Sequence, residues 1–193
     1  PQVWSRWIQD RIYEPLQSRK TRKYRTKSEQ LPRNKEDELL LQEIHGYFKD
    51  DHYAFERCAA ELAQMMDKNI VEYELTRPYL DGGRDALGKY RIGTNENSIQ
   101  VDFALEAKCK LPDYGSGIDH SSRLISRLRH RQFGIFVTTS YLAEQAYKEL
   151  VDDDHPIIVI SGVDIIGILK NAGYGTIEGV RGWLKKFPNK TLK

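Results

Sequence analysis

Asp85 is followed, twenty-one residues later, by Glu106-Ala107-Lys108. Two carboxylates and an ammonium suit one kind of chemistry. The carboxylates can hold an oxygen-preferring divalent cation, which activates water against a phosphodiester and offsets charge on the phosphate. Lys108 can orient or deprotonate the attacking water, or stabilise the pentavalent phosphorus. The carbonyl of Ala107, between the two in sequence, can complete the coordination. A bare D-x20-E-x-K spacing is common by chance, so its weight depends on the elements that carry it.

The Asp lies behind a glycine-rich turn, Asp81-Gly82-Gly83-Arg84-Asp85, and the Glu and Lys end an apolar run over residues 99–105. β-rich stretches at 70–76, 84–92 and 99–108 predict a meander. In it Asp85 starts the second strand, and Glu106 and Lys108 share one face of the third, because residues two apart on a strand point the same way. Val101, Phe103 and Leu105 take the other face. A charge at the end of an otherwise buried strand needs a reason.

Around the meander, apolar spacings of three and four predict helices at 3–17, 35–48, 52–67, 142–151, 162–170 and 177–186. A basic helix is expected over 118–131, with Arg123, Arg127 and Arg131 on one stripe. Such a stripe, with Lys110, can grip phosphates beside a scissile bond. Continuous apolar runs at 133–138 and 157–160 read as strands buried on both faces. The fold class expected is α/β, a mixed central sheet flanked by helices, with an N-terminal helical extension.

Residues 1–35 carry ten Lys and Arg against three Asp and Glu, and the remainder 20 against 25. A basic arm ahead of a slightly acidic domain suits a nucleic-acid partner. Residues 18–33 read as an exposed linker. No apolar run approaches the roughly 20 residues of a membrane helix. The two cysteines, Cys58 and Cys109, lack CxxC spacing, which argues against structural zinc and for a reducing compartment. No Walker A, GxGxxG or GxSxG pattern occurs.

Five elements in order resemble the Mrr-type branch of the PD-(D/E)xK restriction endonuclease superfamily. They are Phe55-Glu56 with Ala59 and Leu62, the Asp81–Asp85 turn, Glu106-Ala107-Lys108, the run from Gly134 to Tyr141, and the strand leading into Ser161-Gly162-Val163-Asp164. The resemblance covers residues 53–169 and implies a restriction-endonuclease-like fold and metal-dependent cleavage of double-stranded DNA. It assigns Asp85, Glu106 and Lys108 to catalysis, and Asp85, Glu106 and the Ala107 carbonyl to Mg²⁺, with Mn²⁺ able to substitute. Glu56 and Ser121 are candidate supporting residues.

The resemblance further implies 5′-phosphate ends; cutting both strands with one site per chain favours a homodimer, and a prokaryotic cytoplasmic setting with no membrane partner is expected. Dependence on base modification follows only by analogy, through a separate DNA-reading domain. The expected division is a helical and basic region at 1–50 and the endonuclease domain at 51–193. The competing readings are a structure-specific nuclease such as a Holliday-junction resolvase, and a non-catalytic DNA-binding domain.

Overall fold

The computed structural model describes residues 8–10, 23–75, 85–94, 96–117, 124–126, 128 and 133–188. Among them the order is α1 (Lys27–Gln30), α2 (Lys35–Phe48), α3 (His52–Met66), β1 (Ile70–Leu75), β2 (Ala86–Thr94), β3 (Asn97–Lys108), β4 (Phe133–Thr138), α4 (Glu144–Asp152), β5 (Ile157–Ile160), α5 (Gly162–Asn171) and α6 (Ile177–Leu184). The strands form one sheet in the order β1-β2-β3-β4-β5. The first three run as an antiparallel meander, and β3, β4 and β5 are parallel. This is the mixed sheet expected.

Helix starts follow local chemistry. Asn34 accepts from the Asp37 N–H at 2.8 Å to start α2. Asp51, between the helices expected at 35–48 and 52–67, accepts from the Ala54 N–H at 3.0 Å and starts α3. An N-cap oxygen satisfies one of the amides that a helix start leaves without an intrahelical partner.

Alternation along the strands divides the core into two layers. Phe103, Leu105 and Ala107 of β3, with Ile135 and Val137 of β4, pack against α2, α3, α5 and α6. Ala104 and Phe136, on the opposite face, meet Leu124 and the buried face of α4. Gly88 admits the Phe103 ring, since a Cβ there would lie 2.3 Å from it.

The stretch 23–33 departs from the exposed linker expected of it. Gln30 is fully buried, and its side chain bonds both backbone groups of Leu142, accepting from N–H at 2.9 Å and donating to C=O at 3.0 Å. Arg25 donates to both carboxylate oxygens of Asp164 at 2.9 and 2.8 Å, and to the Tyr147 hydroxyl at 3.1 Å. Its hydrogen bonds to Asp164 raise its pKa further. The segment is thus strapped across the ends of α4 and α5. Gln30→Ala would leave two buried backbone groups without those bonds. A loss of about 1–3 kcal/mol is expected, read as a lower urea midpoint with an unchanged slope.

Helix α2 also joins the main core through Leu40, Leu41, Ile44 and Phe48. No helix among the described residues is long and apolar enough to cross a membrane.

Candidate active site

β3 leaves the sheet interior at Glu106-Ala107-Lys108, opposite Phe136, Val137 and Thr138 of β4. Asp85 lies just before β2, so the antiparallel pairing sets it beside this end of β3. Its N–H donates to the Leu105 carbonyl at 3.1 Å, and its carboxylate accepts from the Ala107 N–H at 2.6 Å. Beyond the last β2–β3 pair, Ala86 with Leu105, the Asp85 side chain continues the ladder. A short acidic side chain can do this, and the bond orients one oxygen of the carboxylate.

Glu106 is only 1% exposed. The Lys108 ammonium stands 3.0 Å from Glu106 Oε1, 3.1 Å from the Ala107 carbonyl and 3.7 Å from Asp85 Oδ2. A buried carboxylate is tolerated when a counter-charge meets it, and Lys108 supplies that charge. Three oxygens from three residues therefore surround one positive centre.

That donor set fits the cation implied for this fold. It is all oxygen, and Mg²⁺ is commonly held by one or two carboxylates together with substrate phosphate. Among the described residues no group of three or more His, Cys, Asp or Glu could hold a metal. A cation here would therefore draw on the Ala107 carbonyl and on substrate as well as the two carboxylates.

Glu56, on α3, is half-buried, and its pKa is pushed up to about 7. Burial is the main cause, followed by the nearby charge of Asp85; Lys108 opposes both. The unfolded chain loses this proton near the ordinary value of 4.5. Between that value and about 7 the folded state holds the extra proton, so Glu56 lowers stability as pH rises through this window. Glu56→Gln is expected to flatten this fall. The check is the difference in urea midpoint between pH 5 and pH 8, compared with the native chain; equal differences would overturn the assignment.

Lys110 is half-buried beside the site. Its ammonium pKa is lowered by burial and then by Lys108. Its backbone is held from both sides by the Thr139 hydroxyl, which accepts from its N–H at 2.8 Å and donates to its C=O at 2.6 Å. Asp102, on the Glu106 face of β3, is exposed and pairs with Lys89 at 3.0 Å.

The structure thus brings Asp85, Glu106, Ala107 and Lys108 together, with Glu56 close enough to feel their charges. Ser121, Arg123, Arg127 and Arg131 lie outside the described residues, as does the 81–84 turn. Thr139 and Ser140 were not read from sequence as parts of the site. Their signal was the polar Thr138-Thr139-Ser140 ending of an apolar strand, since hydroxyls buried at a strand end must bond something.

Residues 49–169 match the model of a family described as restriction endonuclease. No curated protein matches the chain. Among solved structures, the DNA modification-dependent restriction endonuclease AspBHI is 42% identical with a TM-score of 0.81, over 97% of this chain and 48% of that one. The MspJI restriction endonuclease, in complex with a 27-mer oligonucleotide, is 24% identical with a TM-score of 0.75, over 97% of this chain and 44% of that one. The second likeness supports the fold alone. The chain spans about half the length of these two solved proteins.

Proposed function

The chain belongs to the Mrr-type restriction endonuclease family, and on that premise we propose that it is the cleavage domain of a modification-dependent enzyme, hydrolysing DNA with Mg²⁺. The observation that carries this reading is the gathering of Asp85, Glu106 and the Ala107 carbonyl around the Lys108 ammonium. Modification dependence is supported by the 42% identity to AspBHI, whose name states that property.

Asp85, Glu106 and the Ala107 carbonyl would hold the cation, and Mn²⁺ would substitute for it. When bound, it supplies a Lewis acid that makes water a better nucleophile and offsets phosphate charge. The remaining work falls to the chain. Asp85 is held in place by the Ala107 N–H. Lys108, on the solvent-facing side of a buried carboxylate, orients water and meets the charge that grows on phosphate oxygen in the transition state. Glu56 supports the carboxylates from α3. In-line attack leaves 5′-phosphate and 3′-hydroxyl ends.

The part of the solved proteins beyond this chain leaves room for a domain that reads the target, joined through the basic N-terminal segment. Cutting both strands with one site per chain calls for two copies. The catalytic unit includes α2 and the strap at 23–33 as well as the family segment, since both are packed into it.

The test is incubation with methylated plasmid, unmethylated plasmid and a four-way junction in Mg²⁺, Mn²⁺ or EDTA. Cleavage of plasmid in metal and none in EDTA is expected. DNA binding with no cleavage in either metal would overturn the nuclease reading, and junction-only cleavage would reassign the substrate.

A further inference from the structure

Just beyond the site, residues 111–114 form a tight turn closed by the Tyr114 N–H donating to the Leu111 carbonyl at 2.9 Å. Pro112 takes the second position, where its fixed φ suits such a turn. Leu111 and Tyr114, at its two ends, are 52% and 68% exposed.

The turn is anchored from behind. The Ser140 hydroxyl donates to the Tyr114 carbonyl at 2.5 Å, and Lys27 pairs with Asp113 at 3.2 Å. Lys27 also lies over the Tyr141 ring, 5.0 Å from its centroid. Gly115 lets that ring approach, since a Cβ there would lie 2.8 Å from it. Ser116 then bonds back to Tyr141 through its N–H at 2.8 Å.

Single exposed apolar residues need no explanation. Two of them at the ends of one anchored turn, next to a phosphodiester site, are a different matter. Leu111 follows Lys108 by three residues, so their Cα atoms are at most about 11 Å apart. Along the chain Lys108 and Lys110 lie between Glu106 and the turn, so a ligand reaching both the site and the turn would be polyanionic with apolar surface of its own.

We propose that the Leu111–Tyr114 turn is a DNA contact, with Tyr114 and Leu111 against the sugars and groove edges of the duplex beside the scissile phosphate and Lys110 on the backbone. This rests on the nuclease reading of the Asp85 site. The apolar pair adds affinity that is independent of counter-ion release, because neither side chain neutralises a phosphate.

The test measures binding of a fluorescein-labelled duplex to the full chain by anisotropy, in EDTA so that no cleavage intervenes. Tyr114→Ala is expected to weaken binding roughly tenfold, and Tyr114→Phe to stay within about twofold of native. Leu111→Ala should show a smaller loss. The salt dependence of Tyr114→Ala should parallel the native one, whereas Lys110→Ala should lower the slope by about one. Ile99→Ala, at a residue 65% exposed at the opposite end of β3, should bind as native. With Mg²⁺, Tyr114→Ala should raise KM and leave kcat unchanged.

Native-like binding by both alanine variants would overturn the proposal. So would an equal loss in Ile99→Ala, an equal loss in Tyr114→Phe, or no DNA binding by the chain. Since binding is read in EDTA, its outcome is independent of cleavage. Binding with no cleavage by the native chain in Mg²⁺ or Mn²⁺ would instead overturn the nuclease reading, and retained cleavage by Asp85→Asn would overturn only the assignment of Asp85 to its site.

Discussion

Asp85→Asn is expected to lower the plasmid cleavage rate by roughly 10²–10³-fold while leaving the fold and DNA binding intact. Asn retains a carbonyl-type oxygen that can accept from the Ala107 N–H, as the carboxylate does at 2.6 Å. The ladder between β2 and β3 can therefore continue past its last main-chain pair. What is lost is one negative charge among the three oxygens around the Lys108 ammonium. The measurement is single-turnover cleavage in Mg²⁺ and Mn²⁺, with anisotropy for binding and thermal unfolding for stability. Cleavage within about threefold of native would remove Asp85 from the proposed site. Lost binding or a lowered Tm would instead place its role in the fold.

Phe48→Ala carries the largest expected effect on stability, a loss of about 3–5 kcal/mol. Phe48 is fully buried, with ring contacts to Tyr47 at 4.9 Å, Phe55 at 5.6 Å and Phe187 at 5.9 Å. It precedes the first residue of the family segment, 49, so the experiment also asks whether α2 is an appendage or part of the unit. Urea unfolding gives the answer. A loss below about 1 kcal/mol, the centre of the range for ordinary substitutions, would make α2 an appendage.

The elements that position the site were legible because their signals are local. The apolar run at 133–138 marked β4, and the period-two pattern before Glu106 marked β3. Element ends moved by a few residues, as with β2, which extends to Thr94 rather than ending near 92. The strap at 23–33 departs from the exposed linker its composition suggests, for a physical reason. Its composition is that of a solvated linker, and its burial depends on partners more than 100 residues away. Arg25 meets Asp164 and Gln30 meets Leu142. A side chain that satisfies the backbone of a distant segment leaves no periodicity in its own. The same holds for Thr139, whose hydroxyl serves Lys110.

β3 is the seam of the sheet, antiparallel to β2 on one side and parallel to β4 on the other. It is bonded along both edges from Phe103 to Leu105, and then by the Asp85 side chain at Ala107 on one edge and by β4 as far as Lys108 on the other. Segments of this kind open only when the whole domain opens, while edges and loops fluctuate more freely. The Glu106–Lys108 stretch is therefore expected to open with the sheet interior rather than with the loops. The turn that follows can change its residues, and so what it touches, with little disturbance to the spacing of the oxygens behind it.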